Sequence, residues 1–489
     1  MEAPAVGQPP DAFDRRDAVI ERTADTRALW EAGIAAFFAT RTKAEIATEG
    51  RRRGINACVV NEPGDVLDDP HLAARNFWVE QDGLKQPRRF TALTPGPDAT
   101  PRARAEAKRP GPLAGVRVLD FSWALVGSIT TKILGDLGAD IVKVESRSRP
   151  CLSRLDVQVS QSRADLMDDK PWFAHLNSSK RSLSLDMKQP DARRILDPLI
   201  DWADLVVENF SPGTMDKLGL GYAALSARNP GLIMVSGSIF GQTGPLAQEW
   251  GVDGTGGALS GRTFLTGWPD RDPVIPGAVP YGDVIVPYVM AATAAAALEQ
   301  RARTGRGLHI DASMYEISVQ QTLSAMLAAQ RGEHPGRTGN VEPGIYHQDV
   351  YPAAGEDRWI AISAADADQW KRLTTLAGGE DIGAWTTGQN DHALAETLQA
   401  AGIAAMAVQD IEDLLDHDPE IAARHALVTL DHPHLGPFGH VATPIRFSGE
   451  RIEPFRAPGI GEHVGEIVRD LAGLTDAEIA DFTNKGLFR

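Results

Sequence analysis

A carboxylate placed directly before a small, apolar helix can do one of two things. It can cap the helix, or it can stand at the mouth of a site as a nucleophile. Gly277-Ala-Val-Pro-Tyr-Gly-Asp283 sets up this choice, with Val284 to Gln300 behind it. Ala291, Ala292 and the alanines from Ala294 to Ala297 make that run a buried helix whose small residues admit close neighbours. It is too short and too rich in alanine for a membrane span. Pro287 disfavours helical geometry at Val286, so regular helix is expected to begin near Pro287, with Asp283 in the turn that feeds it. As a cap, Asp283 would hold helix amides. As a nucleophile it needs no general base, since an aspartate of ordinary pKa about 3.9 is ionised at neutral pH.

The totals narrow the partners. A chain of 489 residues, 43% hydrophobic and 24% charged, has the composition of a globular protein of two to four domains. A net charge of -17 argues against nucleic acid and against a polybasic membrane contact. Cys58 and Cys151 are the only cysteines, which leaves no disulfide framework and no cysteine metal site. Glu2, Asp11 and Asp14 make the N-terminus unlike a signal peptide, and the expected location is cytoplasmic. The histidines are scattered without H-E-x-x-H, so no metal is expected; no G-x-S-x-G and no P-loop is present.

The elements that must position Asp283 follow a βαβ rhythm. Val116 to Phe121 reads as a strand, Ser128 to Leu137 as a helix and Asp140 to Glu145 as the next strand. The first turn, Phe121-Ser-Trp-Ala-Leu-Val-Gly127, holds one glycine where a dinucleotide fingerprint needs three, which disfavours NAD. Glu145 ends its strand where a ribose contact or a plain solvated end is equally open. Strands at 204–209, 231–236 and 308–313 alternate with helices at about 190–202, from after Gly213 to Leu218, and at 315–330. Gly254 to Gly261 reads as flexible and suited to close backbone approach. The fold class is therefore α/β, a doubly wound parallel-sheet large domain with a smaller α+β domain. The expected division is an N-terminal block over 1–105, the large domain over 106–330, the small domain over 331–455 and a C-terminal segment, 456–489, returning to the large domain.

The N-terminal block is a partial internal repeat. Gly54-Ile55-x-Ala57-x-x-Val60 recurs as Gly402-Ile403-x-Ala405-x-x-Val408, and Asp65-x-Leu67 as Asp413-x-Leu415. Asp69-Pro70-x-x-Ala73-Ala74-Arg75 recurs as Asp418-Pro419-x-x-Ala422-Ala423-Arg424, and Arg89-Phe90 as Arg446-Phe447. The block thus resembles a second copy of part of the small domain. Within it, Ala35 to Arg53 has helical spacing, Gly54 to Val60 reads as a strand, Asp65 to Arg75 as a short helix and Pro95 to Pro112 as a linker.

Basic residues cluster near predicted strand ends: Arg147, Arg149, Lys180, Arg181, Lys188 and Lys217. Singly they read as surface charge; together they suit a polyanion such as a pyrophosphate. With Leu113 to Phe121, Leu137 to Glu145, Lys180 to Lys188, Ala203 to Gly213, Gly241-Gln-Thr-Gly-Pro245, Gly282-Asp283, Thr304 to Gly307 and Gly461-Glu-His463, the chain resembles the family III CoA-transferases, the formyl-CoA and carnitine CoA-transferase type. The resemblance implies that Asp283 attacks an acyl-CoA and passes CoA to a carboxylic acid through aspartyl intermediates. It implies coenzyme A as substrate rather than a tightly bound cofactor, held by Trp123, Ala124, Val126, Arg147, Leu185, Met187, Lys188, Asn209, Phe210 and Lys217. It also implies an interlocked dimer, as a homo- or hetero-oligomer. Trp123 and Ser128 depart from the family's usual first turn, and Ser146 to Cys151 stands where a Gly-Asp often follows the second strand. Related racemases carry Gly-His-Asp where this chain has Gly251-Val252-Asp253, and Val252 cannot carry a proton. An accessory subunit is the third reading, which the retained Gly282-Asp283 opposes. Trp172, Trp250, Trp268 and Phe264 are read equally well as core packing or as apolar surface near the site; the second reading suits aromatic or bulky acyl groups rather than small dicarboxylates.

Overall fold

A computed structural model describes residues 24–101, 103–155, 167–275, 280–447 and 452–489, with side chains from residue 28 onward. Glu2, Asp11 and Asp14, Arg102 of the linker and Gly277 to Val279 lie outside the described residues. Two compact units result. One takes the chain up to Arg262, with Pro276–Glu333 and Val428–Arg489; the other takes Thr263–Ile275 and His334–Leu427. The N-terminal block therefore belongs to the same unit as the large domain, and residues 428–455 belong there too rather than with the small domain.

The first unit is built on a seven-stranded sheet: β1 (Ala92–Pro95), β2 (Arg117–Asp120), β3 (Asp140–Glu145), β4 (Arg181–Ser184), β5 (Leu205–Glu208), β6 (Ile233–Ser238) and β7 (Leu308–Ser313). Their order is β1-β7-β6-β5-β2-β3-β4. Strands β2 to β7 pair in parallel, so their C-terminal ends share one edge. The order reverses between β2 and β5, and such a switch point opens a crevice at the strand ends. The sheet is not wholly parallel. β1, in the stretch read as the start of a linker, lies antiparallel on β7.

The buried strands read as unbroken apolar runs because both faces are covered. On one face pack α1 (Val126–Asp136) and α3 (Tyr281–Thr304), with Met290, Ala294 and Ala297 against Val207, Val235 and Ile310. α3 is long and apolar enough to cross a membrane, yet much of it is buried in this core. On the other face pack Ile195, Leu196 and Leu199 with Ile467, Phe482 and Leu487. Between β6 and α3 lies α2 (Asp253–Leu259), and after β7 comes α4 (Met314–Gln321). The glycine-rich stretch read as flexible is thus mostly helix. The helix read as 315–330 breaks at Thr322 into two.

The second unit carries a three-stranded antiparallel sheet of β8 (His347–Pro352), β9 (Trp359–Ala364) and β10 (Ala404–Ala407). Ile360, Ile362, Leu373 and Leu398 form its core.

The N-terminal block differs locally from expectation. Gly54 to Val60 forms no strand, and Asp65 to Arg75 spans two five-residue helices, Pro63–Leu67 and Pro70–Ala74, because Asp69-Pro70 stops one and caps the next. Ala35 to Arg53 is likewise interrupted, with Thr42 capping Lys43–Arg53. This block is anchored by burial. Leu72 and Phe77 are fully buried with Phe240, Tyr315 and Val319. Arg75 is 4% exposed and meets Glu316 at 2.6 Å and Asp311 at 2.9 Å. Gly241, at φ 79°, passes so close that a Cβ there would stand 2.4 Å from that guanidinium. Removing one partner of a buried ion group leaves charge uncompensated, which costs about 3–5 kcal/mol. Arg75→Ala is therefore expected to lower unfolding free energy by that order in urea titration. A loss under about 1 kcal/mol, the worth of a surface pair, would show that the triad does not anchor the block.

Candidate active site

The switch point between β2 and β5 opens into a cleft of roughly 400 Å³. Its floor and walls come from Ala124, Leu125 and Val126 after β2, Asn209, Phe210 and Pro212 after β5, Gly237 to Phe240 at the end of β6, and Val286 and Met314. Asp283 faces this cleft from the first turn of α3.

The start of α3 corrects the expected geometry. The helix begins at Tyr281, not near Pro287, and Pro287 lies within it. A proline at this position removes the amide that would have reached the carbonyl of Asp283, one turn earlier, and crowds that carbonyl with its ring. The capping role belongs to Asp253, at the start of α2. Its Oδ1 accepts the Gly282 amide at 2.7 Å. The same carboxylate holds Arg262 at 2.9 and 3.0 Å, and the Arg262 guanidinium lies 5.0 Å from the Tyr281 ring centroid. Gly282 is required by this contact, since a Cβ there would stand 2.3 Å from Asp253 Oδ1 and 3.1 Å from Met314. With the helix amide taken by Asp253, Asp283 has no capping bond to make. Among the described residues, no hydrogen bond to its carboxylate is found. Burial, with a smaller contribution from the Asp253 charge, pushes its pKa up to about 6. It therefore remains largely ionised at pH 7, as a poorly solvated carboxylate.

Asn209 fixes the opposite wall. Its side chain accepts the Trp123 amide at 2.7 Å and donates to the Trp123 carbonyl at 3.1 Å, tying the turn after β2 to the end of β5. Trp123 and Phe210 meet edge to face at 6.1 Å, and Arg149 lies over the Trp123 ring at 5.2 Å. Glu208 receives the Phe210 amide at 2.7 Å, and burial raises this carboxyl to about 7.

Of the residues singled out in the sequence, Asp283, Ala124, Val126, Asn209 and Phe210 line the one cleft. Arg147, Lys188 and Lys217 are exposed in the segments that leave β3, β4 and β5, along the same sheet edge. Leu185 is 1% exposed and turns its side chain into the core, and Met187 packs on that core, so Leu185 has only its backbone to offer a ligand. Two of the six basic residues are engaged elsewhere. Lys180 is fully buried, 3.1 Å from Asp120 and 2.9 Å from Asn177, and Arg181 pairs with Asp140 and Glu466. Glu145 is likewise held by Arg154, at 2.8 Å, and does not end in solvent. Trp172 and Trp250 line the cleft; Trp268 and Phe264 belong to the other unit. Asp253 is a site residue that the sequence signals only by closing the Gly251-Val252-Asp253 motif.

The family model of CoA-transferase family III matches residues 2–112 and 113–464. The chain belongs to CoA-transferase family III. It is 31% identical over 398 residues to a succinyl-CoA--D-citramalate CoA-transferase of Chloroflexus aurantiacus, covering 76% of this chain and 96% of that protein. It is 28% identical to a probable CoA-transferase, Rv1866, of Mycobacterium tuberculosis, covering 98% of this chain but 66% of that protein. A CAIB/BAIF family protein from Brucella suis superposes with a TM-score of 0.64 at 29% identity, covering 74% of this chain and 99% of the other. The fold and the enzyme class of this family III CoA-transferase are thus those its motifs implied.

Two outcomes follow from the site's geometry. Gly282→Ala is expected to displace Asp253 from the helix start and to lower kcat by about tenfold or more, since misplacement of a reacting group by about 1 Å costs on the order of 100-fold; unchanged kcat would remove the bond from the account. Asp283→Asn is expected to raise the melting temperature at pH 7.5. The folded-state pKa of about 6 lies above the ordinary 3.8, so the native carboxylate costs stability as pH rises through that window. The gain should be full above about pH 7 and vanish near about pH 4 in scanning calorimetry; an equal or lower melting temperature at pH 7.5 would contradict it.

Proposed function

We propose that this enzyme transfers CoA between two carboxylic acids through covalent intermediates on Asp283. The observation that carries this reading is the desolvated Asp283 carboxylate, free of capping duty and facing the switch-point cleft. In the first step a carboxylate oxygen bonds to the thioester carbonyl carbon, and the C–S bond breaks to give a mixed anhydride and CoA thiolate. The thiolate then attacks the Asp283 carbonyl, releasing the first acid and leaving an aspartyl-CoA thioester. The acceptor carboxylate and CoA repeat the two steps in reverse and restore free Asp283. Such intermediates survive only where water is excluded, and the apolar cleft provides that setting. CoA would run along the sheet edge past Trp123, Ala124, Val126, Asn209 and Phe210. Arg147, Lys188 and Lys217 would meet its phosphates, and the backbone at Leu185 and Met187 its nucleotide end. The protein works without a tightly bound cofactor, in the cytoplasm, as an interlocked homo- or hetero-oligomer.

The acyl group is best read as apolar. Among the described residues no lysine, arginine or histidine lines the cleft, whereas Leu152, Trp172, Trp250 and Val252 do. The distal carboxylate of a small dicarboxylate would lie with Glu249 and Asp283 and without a cation, an arrangement that costs several kcal/mol per buried charge. Val252 also bears on the racemase alternative. It lines the same cleft as Asp283, where a proton carrier would have to stand, and an aliphatic side chain cannot serve.

Transfer kinetics over a panel of acids test both points. Aromatic and branched acyl-CoA donors are expected to exceed succinyl- and oxalyl-CoA in kcat/KM by about tenfold or more, with ping-pong kinetics. Asp283→Asn is expected to reduce the rate by on the order of 1000-fold. On the acid side, kcat/KM should fall about tenfold per pH unit below about 6, as Asp283 takes up its proton. α-Proton exchange in heavy water without an acceptor acid, together with absent transfer, would instead favour the racemase.

A further inference from the structure

By its own sequence α2 has little to hold it as a helix. It has seven residues, Asp253 to Leu259, and Gly254, Gly256 and Gly257 are among them. Glycine is a poor helix former, and a helix this short is not stable by itself. Yet α2 carries Asp253, whose carboxylate accepts the Gly282 amide at the start of α3. Contacts from outside must fix it.

The N-terminal block supplies them at both ends. At the first turn, Asn56 Nδ2 donates to Thr255 Oγ1 at 3.0 Å, and the same oxygen accepts the Val252 amide at 3.2 Å. At the last turn, the Asn61 amide donates to the Ala258 carbonyl at 3.0 Å, and Asn61 Nδ2 donates to the Leu259 carbonyl at 2.9 Å. These are carbonyls that a helix end leaves without a partner in its own helix. Thr255 and Asn61 are buried, so water does not replace these bonds.

The repeat shows that the two asparagines belong to the first copy alone. In register with Gly54 to Val60, Asn56 and Asn61 stand where the second copy has Ala404 and Gln409. Ala404 opens β10, which pairs with β9, and Gln409 Nε2 donates to Asp418 at 2.8 Å within its own copy. Among its described residues the N-terminal block has no strand before Trp78, so 54–60 has no counterpart of β9 to pair with. It bonds to α2 instead.

We propose that Asn56 and Asn61 are positioning residues for the transfer reaction: by bracing α2 at both ends they keep Asp253 on the Gly282 amide and Asp283 clear of capping duty. The extra copy thus supports the site within its own chain. The inference rests on the role proposed for Asp283. Without the brace Asp253 withdraws, and Asp283 becomes the nearest carboxylate to the amides set free in the first turn of α3. A carboxylate that accepts such bonds is held ionised to lower pH.

Asn56→Ala, Asn61→Ala and the double variant test this by hydrogen exchange and transfer kinetics, with Arg52→Ala, at an exposed ion pair of the same block, as the control that changes neither. Exchange at Gly282 and along α2, read by mass spectrometry, is expected to rise by about tenfold or more in the asparagine variants. Their kcat is expected to fall by about tenfold or more while KM for the acyl-CoA changes by less than about twofold. The acid limb of kcat/KM is expected to move down from about 6 by about one pH unit, which a loss of packing alone would not cause. Thr255→Val is expected to match Asn56→Ala in kcat without adding to it, and Thr255→Ser, which keeps the hydroxyl, to retain the wild-type value. If Asn61→Ala does not fold, Asn56→Ala and Thr255→Val carry the same test. Unchanged exchange at Gly282 would overturn the brace, and faster exchange with kcat and acid limb unchanged would overturn its part in the reaction. Both results leave the reading of Asp283 in place while Asp283→Asn is inactive; an active Asp283→Asn would overturn that reading and the inference with it.

Discussion

One hydrogen bond, from the Gly282 amide to Asp253, determines what Asp283 can do. A helix start exposes amides that some acceptor must satisfy, and the nearest carboxylate usually does so. Here the acceptor comes from α2, 29 residues away in the chain, and is itself held by Arg262. Asp283 is thereby relieved of a structural bond and left in poorly solvated surroundings. The absence of a side chain at Gly282 is what lets the two helices approach this closely. The reactivity assigned to Asp283 therefore originates in packing between two helix ends, before any substrate arrives.

The sheet supplies the second requirement. Six strands in parallel bring their C-terminal ends to one edge, and the reversal between β2 and β5 opens the crevice there. Asn209, bonded twice to Trp123, keeps the two loops of that crevice in register. The N-terminal block reinforces the same region from outside, since Arg75 binds residues at the end of β7 and in α4. The cleft and the N-terminal block thus meet at the end of β6, where Phe240 lines the one and packs in the other.

Much of this was legible in the sequence because it is local. Strand runs such as Leu205 to Glu208 announce themselves by continuous apolar character, and Gly282-Asp283 by its place before an alanine-rich helix. The repeat was legible because Asp-Pro and Ala-Ala-Arg recur in order. What local reading missed is non-local. Pro287 looked like a helix start, yet the helix begins a turn and a half earlier because Asp253 satisfies its first turn from afar. Lys180 and Arg181 looked like ligands for a polyanion, but Asp120, Asp140 and Glu466, all distant in sequence, claim them. β1 sits in a stretch with linker composition and becomes a strand only because the edge of β7 is there to pair with it.

The most direct test of the account is intact-peptide mass analysis after mixing the enzyme with an apolar acyl-CoA and trapping with hydroxylamine or borohydride. The account calls for a modification at Asp283 that requires the acyl-CoA and is absent from Asp283→Ala. An enzyme that transfers CoA at full rate with Asp283 unmodified, or with the label on another residue, would contradict it.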